Sequence, residues 1–96
     1  MIKIKNKRGK VIHTVFAETL VGADLTRLQL QGANFRNEHL SGANFRGSNL
    51  NGADFWHADL RSANFLSANL SGADLRNADL RGADIRCIKV NEKTNF

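Results

Sequence analysis

Proline and tyrosine are absent from the 96 residues, and cysteine, methionine and tryptophan occur once each. A single Cys87 cannot form an internal disulfide, nor assemble a zinc site without other ligands. Strictly apolar runs are also scarce. The longest is Val15-Phe16-Ala17, too short for a membrane span or a secretory core segment. The length is enough for one small domain and not for two. Hydrophobic residues at 42% and charged residues at 24% are globular proportions. These scarcities point to a small soluble domain of a reducing compartment, expected to be cytoplasmic.

What is abundant is a repeat. From Leu20 to Ile85 every fifth residue is Leu, Phe or Ile, fourteen times out of fourteen. Two positions earlier stands Ala in ten of those fourteen, and the intervening residue is Asp or Asn in eleven. Seven of the eight glycines fall two positions after the central apolar residue. A period of five matches neither an α-helix nor a simple strand. It fits a short extended stroke followed by a bend. Positions two apart within a stroke share a side, so Ala and the central Leu or Phe face inward; Ala63, Ala68 and Ala73 should line a packed axis. Asp or Asn between them braces the turn by accepting from nearby amides. Gly at the bend supplies positive φ, with Asn37 and Asn77 as substitutes.

The blocks Ala-Asn-Phe-Arg-Gly (43–47), Ala-Asp-Leu-Arg-Ser (58–62) and Ala-Asp-Leu-Arg-Gly (78–82) resemble the pentapeptide-repeat family. The resemblance implies an all-β fold, a right-handed quadrilateral β-helix with four pentapeptides per coil, so that residue k stacks on residue k+20. Residues 16–90 would make nearly four coils, roughly 18 Å tall at about 4.8 Å per coil. Residues 1–15 alternate apolar and polar around Asn6-Lys7-Arg8-Gly9, which predicts a β-hairpin capping the open first coil. Asn91–Phe96 drops the motif and is expected to fray or fold over the last coil.

Stacking by twenty turns surface residues into columns. Arg36, Trp56 and Arg76 form one, with the indole placed between two guanidinium groups; it is either a small recognition face or a self-satisfied ladder. Arg61 and Arg81 run beside Asp59 and Asp79, and Arg46 and Arg86 flank Leu66, patterns that suit solvated ion-pair ladders. Glu18 and Glu38 share a column at the inward position, where two buried carboxylates would raise one another's proton affinity. Structural accommodation in a widened first part of the coil, next to Leu28 and Ser48, is the simpler reading. His13, His39 and His57 have no common ligand spacing, so no metal is expected. Cys87 has no base beside it, no glycine-rich phosphate loop occurs, and a filled coil leaves no interior cavity. No catalytic residue and no cofactor are expected.

The net charge of +5 is unevenly placed. Lys3, Lys5, Lys7, Arg8 and Lys10 stand in residues 1–15 without an acid, whereas residues 16–90 carry eight basic and eight acidic residues. Three functions remain open. The first is a non-enzymatic protein-binding or scaffold module of unknown partner. The second is weak nucleic-acid or polyanion binding through the basic hairpin, although aromatic interleaving is missing because Phe16 is expected in the core. Lysines on such a hairpin equally serve to protect a strand edge from pairing. The third comes from the resemblance: some family members modulate DNA gyrase by mimicking DNA with a long acidic rod, from which a neutral, short body departs. The apolar carboxyl end (Ile85, Ile88, Val90, Phe96) admits a weak homodimer, or a monomer in which Phe96 folds back as the cap.

Overall fold

The computed structural model describes residues 1–96. Two strands, β1 (Ile2–Lys5) and β2 (Val11–Val15), form an antiparallel hairpin. A bulge at Ile12 lies between the Lys5–Val11 and Ile4–His13 pairs. Everything after it is a square coil. Parallel bridges join Asp24 to Asn44, Gln29 to Asn49, Asn34 to Asp54 and His39 to Asp59, and so on down the stack. Five residues per face and a twenty-residue step make four faces per coil.

Each repeat bonds vertically through its backbone. Leu25 N–H donates to Asn44 O at 2.8 Å and Asn44 N–H to Ala23 O at 2.9 Å, and the corner Gly22 N–H donates to Ser41 O at 2.9 Å. Within the repeat the chain turns by a four-residue bond, such as Ala43 N–H to Leu40 O at 3.0 Å. The third residue of that turn has positive φ, which glycine adopts without a Cβ penalty. Seven corners nonetheless carry Arg27, Asn37, His57, Ser62, Ser67, Asn77 or Cys87, all with φ between 54° and 61°. Ladder bonds from the corner N–H to the coil below hold Arg27, Asn37, His57, Ser62 and Ser67 in a conformation that is unfavourable for most L-amino acids.

Interior volume dictates which side chain goes where. Phe35 and Phe55 stack at 5.1 Å on one face, Phe45 and Phe65 at 5.0 Å on the opposite face, and the two stacks meet edge-to-face at 5.6–5.7 Å. The two remaining faces present only Leu at Leu40, Leu60, Leu30, Leu50 and Leu70. Offset and T-shaped ring pairs are the preferred aromatic geometries. The second inward position must then be small. Ala33, Ala43, Ala53, Ala58, Ala63, Ala68 and Ala73 are buried there.

The upper end is closed by the hairpin. Ile4 joins the core, with Ile2, Ile12 and Val15 packed against it. The end of β1 and its loop pair antiparallel with the coil: Asn6 bridges Ala33, Asn34 N–H donates to Lys5 O at 2.8 Å, and Lys7 N–H donates to Gly32 O at 3.0 Å. Phe16 does not join the core and is 86% exposed. It follows Val15 in the outward slot that Arg36 and Trp56 occupy further down, so the spacing itself sends it to solvent.

Glu18 and Glu38 follow the simpler of their two readings, and the expectation for the tail needs correction. Glu18 and Glu38 are exposed, because a slot sized for an alanine methyl cannot take a carboxylate away from water; no buried acidic pair exists. Asn91–Phe96 neither frays nor crosses the end. Asn95 N–H donates to Ala73 O at 3.0 Å and Leu75 N–H donates to Asn95 O at 2.7 Å, so the ladder continues with a step of twenty-one. Thr94 fills the enlarged corner, its hydroxyl donating to Leu70 O at 2.9 Å and accepting from Gly72 N–H at 3.1 Å.

Replacing Ala63 with Leu should overpack the axis and cost about 1–3 kcal/mol. Thermal melting reads this directly, and an unchanged midpoint would contradict the filled interior.

Candidate functional site

All eleven Asp and Asn residues of the repeat between Asp24 and Asp84 make the same contact. Each carboxylate or amide Oδ1 accepts the backbone N–H two residues on, at 2.9–3.2 Å. This Asx geometry braces the turn. It also commits the residues that would otherwise offer acid–base chemistry.

Most coil arginines are committed as well. Arg61 grips Asp59 with Nε and Nη2, both at 2.8 Å, and Arg76 grips Asp74 at 2.9 and 2.7 Å. Arg81 with Asp79 and Arg86 with Asp84 repeat this fork geometry. The guanidinium hydrogen bond is the main cause that lowers the Asp59 and Asp84 carboxyls from 3.8 to about 2. Asp74 and Asp79 are lowered for the same reason.

The Arg36–Trp56–Arg76 column is only half of what its spacing suggests. Arg36 lies over the indole at 4.6 Å and donates to Asp54 at 3.2 Å, while Asp54 also accepts the backbone N–H of Trp56 at 3.0 Å. The His57 ring stacks on the indole at 4.0 Å. Arg76 takes no part, because its guanidinium is bound to Asp74. The indole therefore has one cation, not two, and the cluster is largely satisfied from within.

Ser48 marks a feature that sequence reasoning missed. Its hydroxyl accepts from Leu28 N–H at 3.0 Å and donates to Leu25 O, standing in for the direct turn bond at that corner. The signal was present: Leu28 is the one leucine in an alanine slot, and Ser48 lies twenty residues below it.

The remaining surfaces are the ends and the hollows. Lys3, Lys5, Lys7, Arg8 and Lys10 make no ion pair; all five pairs lie in the coil. At the other end Ile85, Val90 and Phe96 are exposed, Ile88 is half-buried, and the amides of Leu80 and Ile85 have no acceptor. Phe96 follows Asn95 in step with Leu75 and is 63% exposed, so it extends the stack instead of folding back. A trough of about 790 Å³, open to solvent, follows one corner past Gly22, Gly42, Ser62 and Gly82. A smaller hollow of about 140 Å³ lies between Asn6, Lys7, Arg8, Gln31 and Gly32. No group of three His, Cys, Asp or Glu side chains is placed to hold a metal ion, and no helix is long and apolar enough to cross a membrane.

A family model described as pentapeptide repeats matches residues 39–77 and 64–88. Among solved structures, a pentapeptide repeat protein from the cyanobacterium Cyanothece is 29% identical, covering 76% of this chain and 63% of its own, with a TM-score of 0.58. One from Nostoc is 33% identical over 76% of this chain and 73% of its own, with a TM-score of 0.42. Another, from the thylakoid lumen of Arabidopsis thaliana, is 35% identical over 78% of this chain and 48% of its own, with a TM-score of 0.35. The chain thus spans less than two thirds of the Cyanothece protein and about half of the Arabidopsis one. No curated protein matches it in sequence.

The ion pairs make stability depend on pH with a definite sign. The folded carboxyls of Asp59 and Asp84 titrate below their unfolded value near 3.8, so their contribution is present above that value and is lost as pH falls towards about 2. Their exposure keeps the effect modest. Thermal melts should be level from neutral pH to about 4 and then decline. A midpoint that rises on acidification through this window would contradict the pairing.

Proposed function

The chain belongs to the pentapeptide-repeat family and is a right-handed quadrilateral β-helix, and we propose that it serves as a non-enzymatic protein-binding module. One observation carries this reading. The coil's turn-bracing carboxylates and amides, and five of its arginines, are spent within the fold, while the hairpin cations are left unpaired. Such a surface has no oriented nucleophile or base. A packed axis offers no enclosed pocket to a small substrate. Rigid solenoids act through what rests against them. The exposed thiol of Cys87 suits a reducing compartment, and we place the protein in the cytoplasm on that ground.

Polyanion binding is the second reading, favoured by the same five unpaired cations. Five phosphate contacts on a single strand would give a log–log salt slope of about −3.5. DNA mimicry towards gyrase has less support. Residues 16–90 are neutral, and five of their eight acids are neutralised by arginine.

Affinity capture from the native host at low and high salt separates these. The protein-binding reading expects the same protein to be retained at both. Capture of nucleic acid alone, lost as salt rises, would replace it with the polyanion reading.

A further inference from the structure

Lysines on a hairpin are commonly edge guards, but here none of them stands on β2. Lys3 and Lys5 belong to β1, whose far edge is closed at its end, where Lys5, Asn6 and Lys7 pair with residues 32–34 of the coil, and is open at Ile2–Ile4. The edge that is open along its whole length belongs to β2. The sheet has two strands only, and no hydrogen bond reaches Val11–Val15 from outside the hairpin. β2 contains no charge and no proline. Its one irregularity, the bulge at Ile12, leaves His13, Thr14 and Val15 regular and running into the exposed Phe16.

We propose that this edge, His13–Phe16, accepts an extended acidic segment of a partner protein by strand addition. The inference rests on the protein-binding reading and names the partner's chemistry. Main-chain groups of β2 would supply the affinity, as in other strand-addition complexes. Charge decides the occupant. Lys3 lies directly opposite Thr14 on β1, so both side chains share one face of the sheet. A carboxylate on an incoming strand beside Thr14 lies about 10 Å from the Lys3 backbone, two strand spacings away, within reach of the two extended side chains. Lys5, opposite Val11, and Lys10 continue the positive field. Phe16 offers apolar contact at the end of the edge. A second copy of this chain would instead bring two sets of five unpaired cations together.

The test uses the full chain and a short labelled peptide alternating Glu and Val. Its twin carries N-methyl groups on alternate amides, and oligothymidylate serves as a polyanion without strand-forming backbone. The unmethylated peptide should bind and slow hydrogen exchange at His13–Phe16. The twin, equal in charge, should bind about tenfold more weakly through lost backbone hydrogen bonds. Lys3→Glu should weaken binding several-fold, whereas Lys7→Glu at the loop tip should change it little. Equal binding of both peptides, equal loss from both lysine variants, or protection elsewhere on the chain would overturn the proposal in favour of simple polyanion attraction. Absence of peptide binding would overturn it too. Retention of a host protein at high salt would then leave the broader protein-binding reading standing.

Discussion

Vertical stacking in a twenty-residue step is the constraint from which the rest of this molecule follows. Once residue k lies under residue k−20, each stroke delivers two side chains to a narrow axis. One must be large enough to meet its opposite and the other small enough not to. Phe45 and Phe65 fill one face against Phe35 and Phe55 on the opposite face, and Leu occupies the two faces between. The interior is thereby closed to water and to substrate alike. The backbone ladder also keeps Arg27, Ser62 and Ser67 in left-handed corners that they would not favour alone.

That regularity explains what the sequence made legible. Fourteen apolar positions and ten alanines mark the interior, and Asp or Asn marks the braced turn. Strict period implies strict environment, so each of these positions behaves alike. Legibility fails where the period meets an end or an exception. Phe16 reads as apolar and therefore as core, but its slot points outward. Glu18 and Glu38 occupy inward slots that cannot hold them. Arg76 has the right spacing for Trp56, yet a carboxylate two residues away binds it first. Thr94 lets the last corner absorb one extra residue, which no five-residue frame anticipates.

The candidate interaction surface was the least legible feature. Composition located the positive charge on residues 1–15 but not its relation to a strand edge. Only the docking of Asn6 against Ala33 shows that the lysine-bearing strand meets the coil at its end while the uncharged strand is open along its whole length. Local alternation is silent on which edge of a two-stranded hairpin a third element will take. The coil faces, by contrast, commit five of their arginines to exposed ion pairs that contribute modestly.

Cysteine cross-linking tests the twenty-residue register most directly. Asn49 bridges Asn69, and parallel neighbours about 4.8 Å apart lie within disulfide range. In a Cys87→Ser background, Asn49→Cys with Asn69→Cys should close under mild oxidation, while Asn49→Cys with Asn64→Cys, on adjoining faces, should stay reduced. Closure of the 49/64 pair as readily as 49/69 in the folded protein would contradict the stacking on which the account stands.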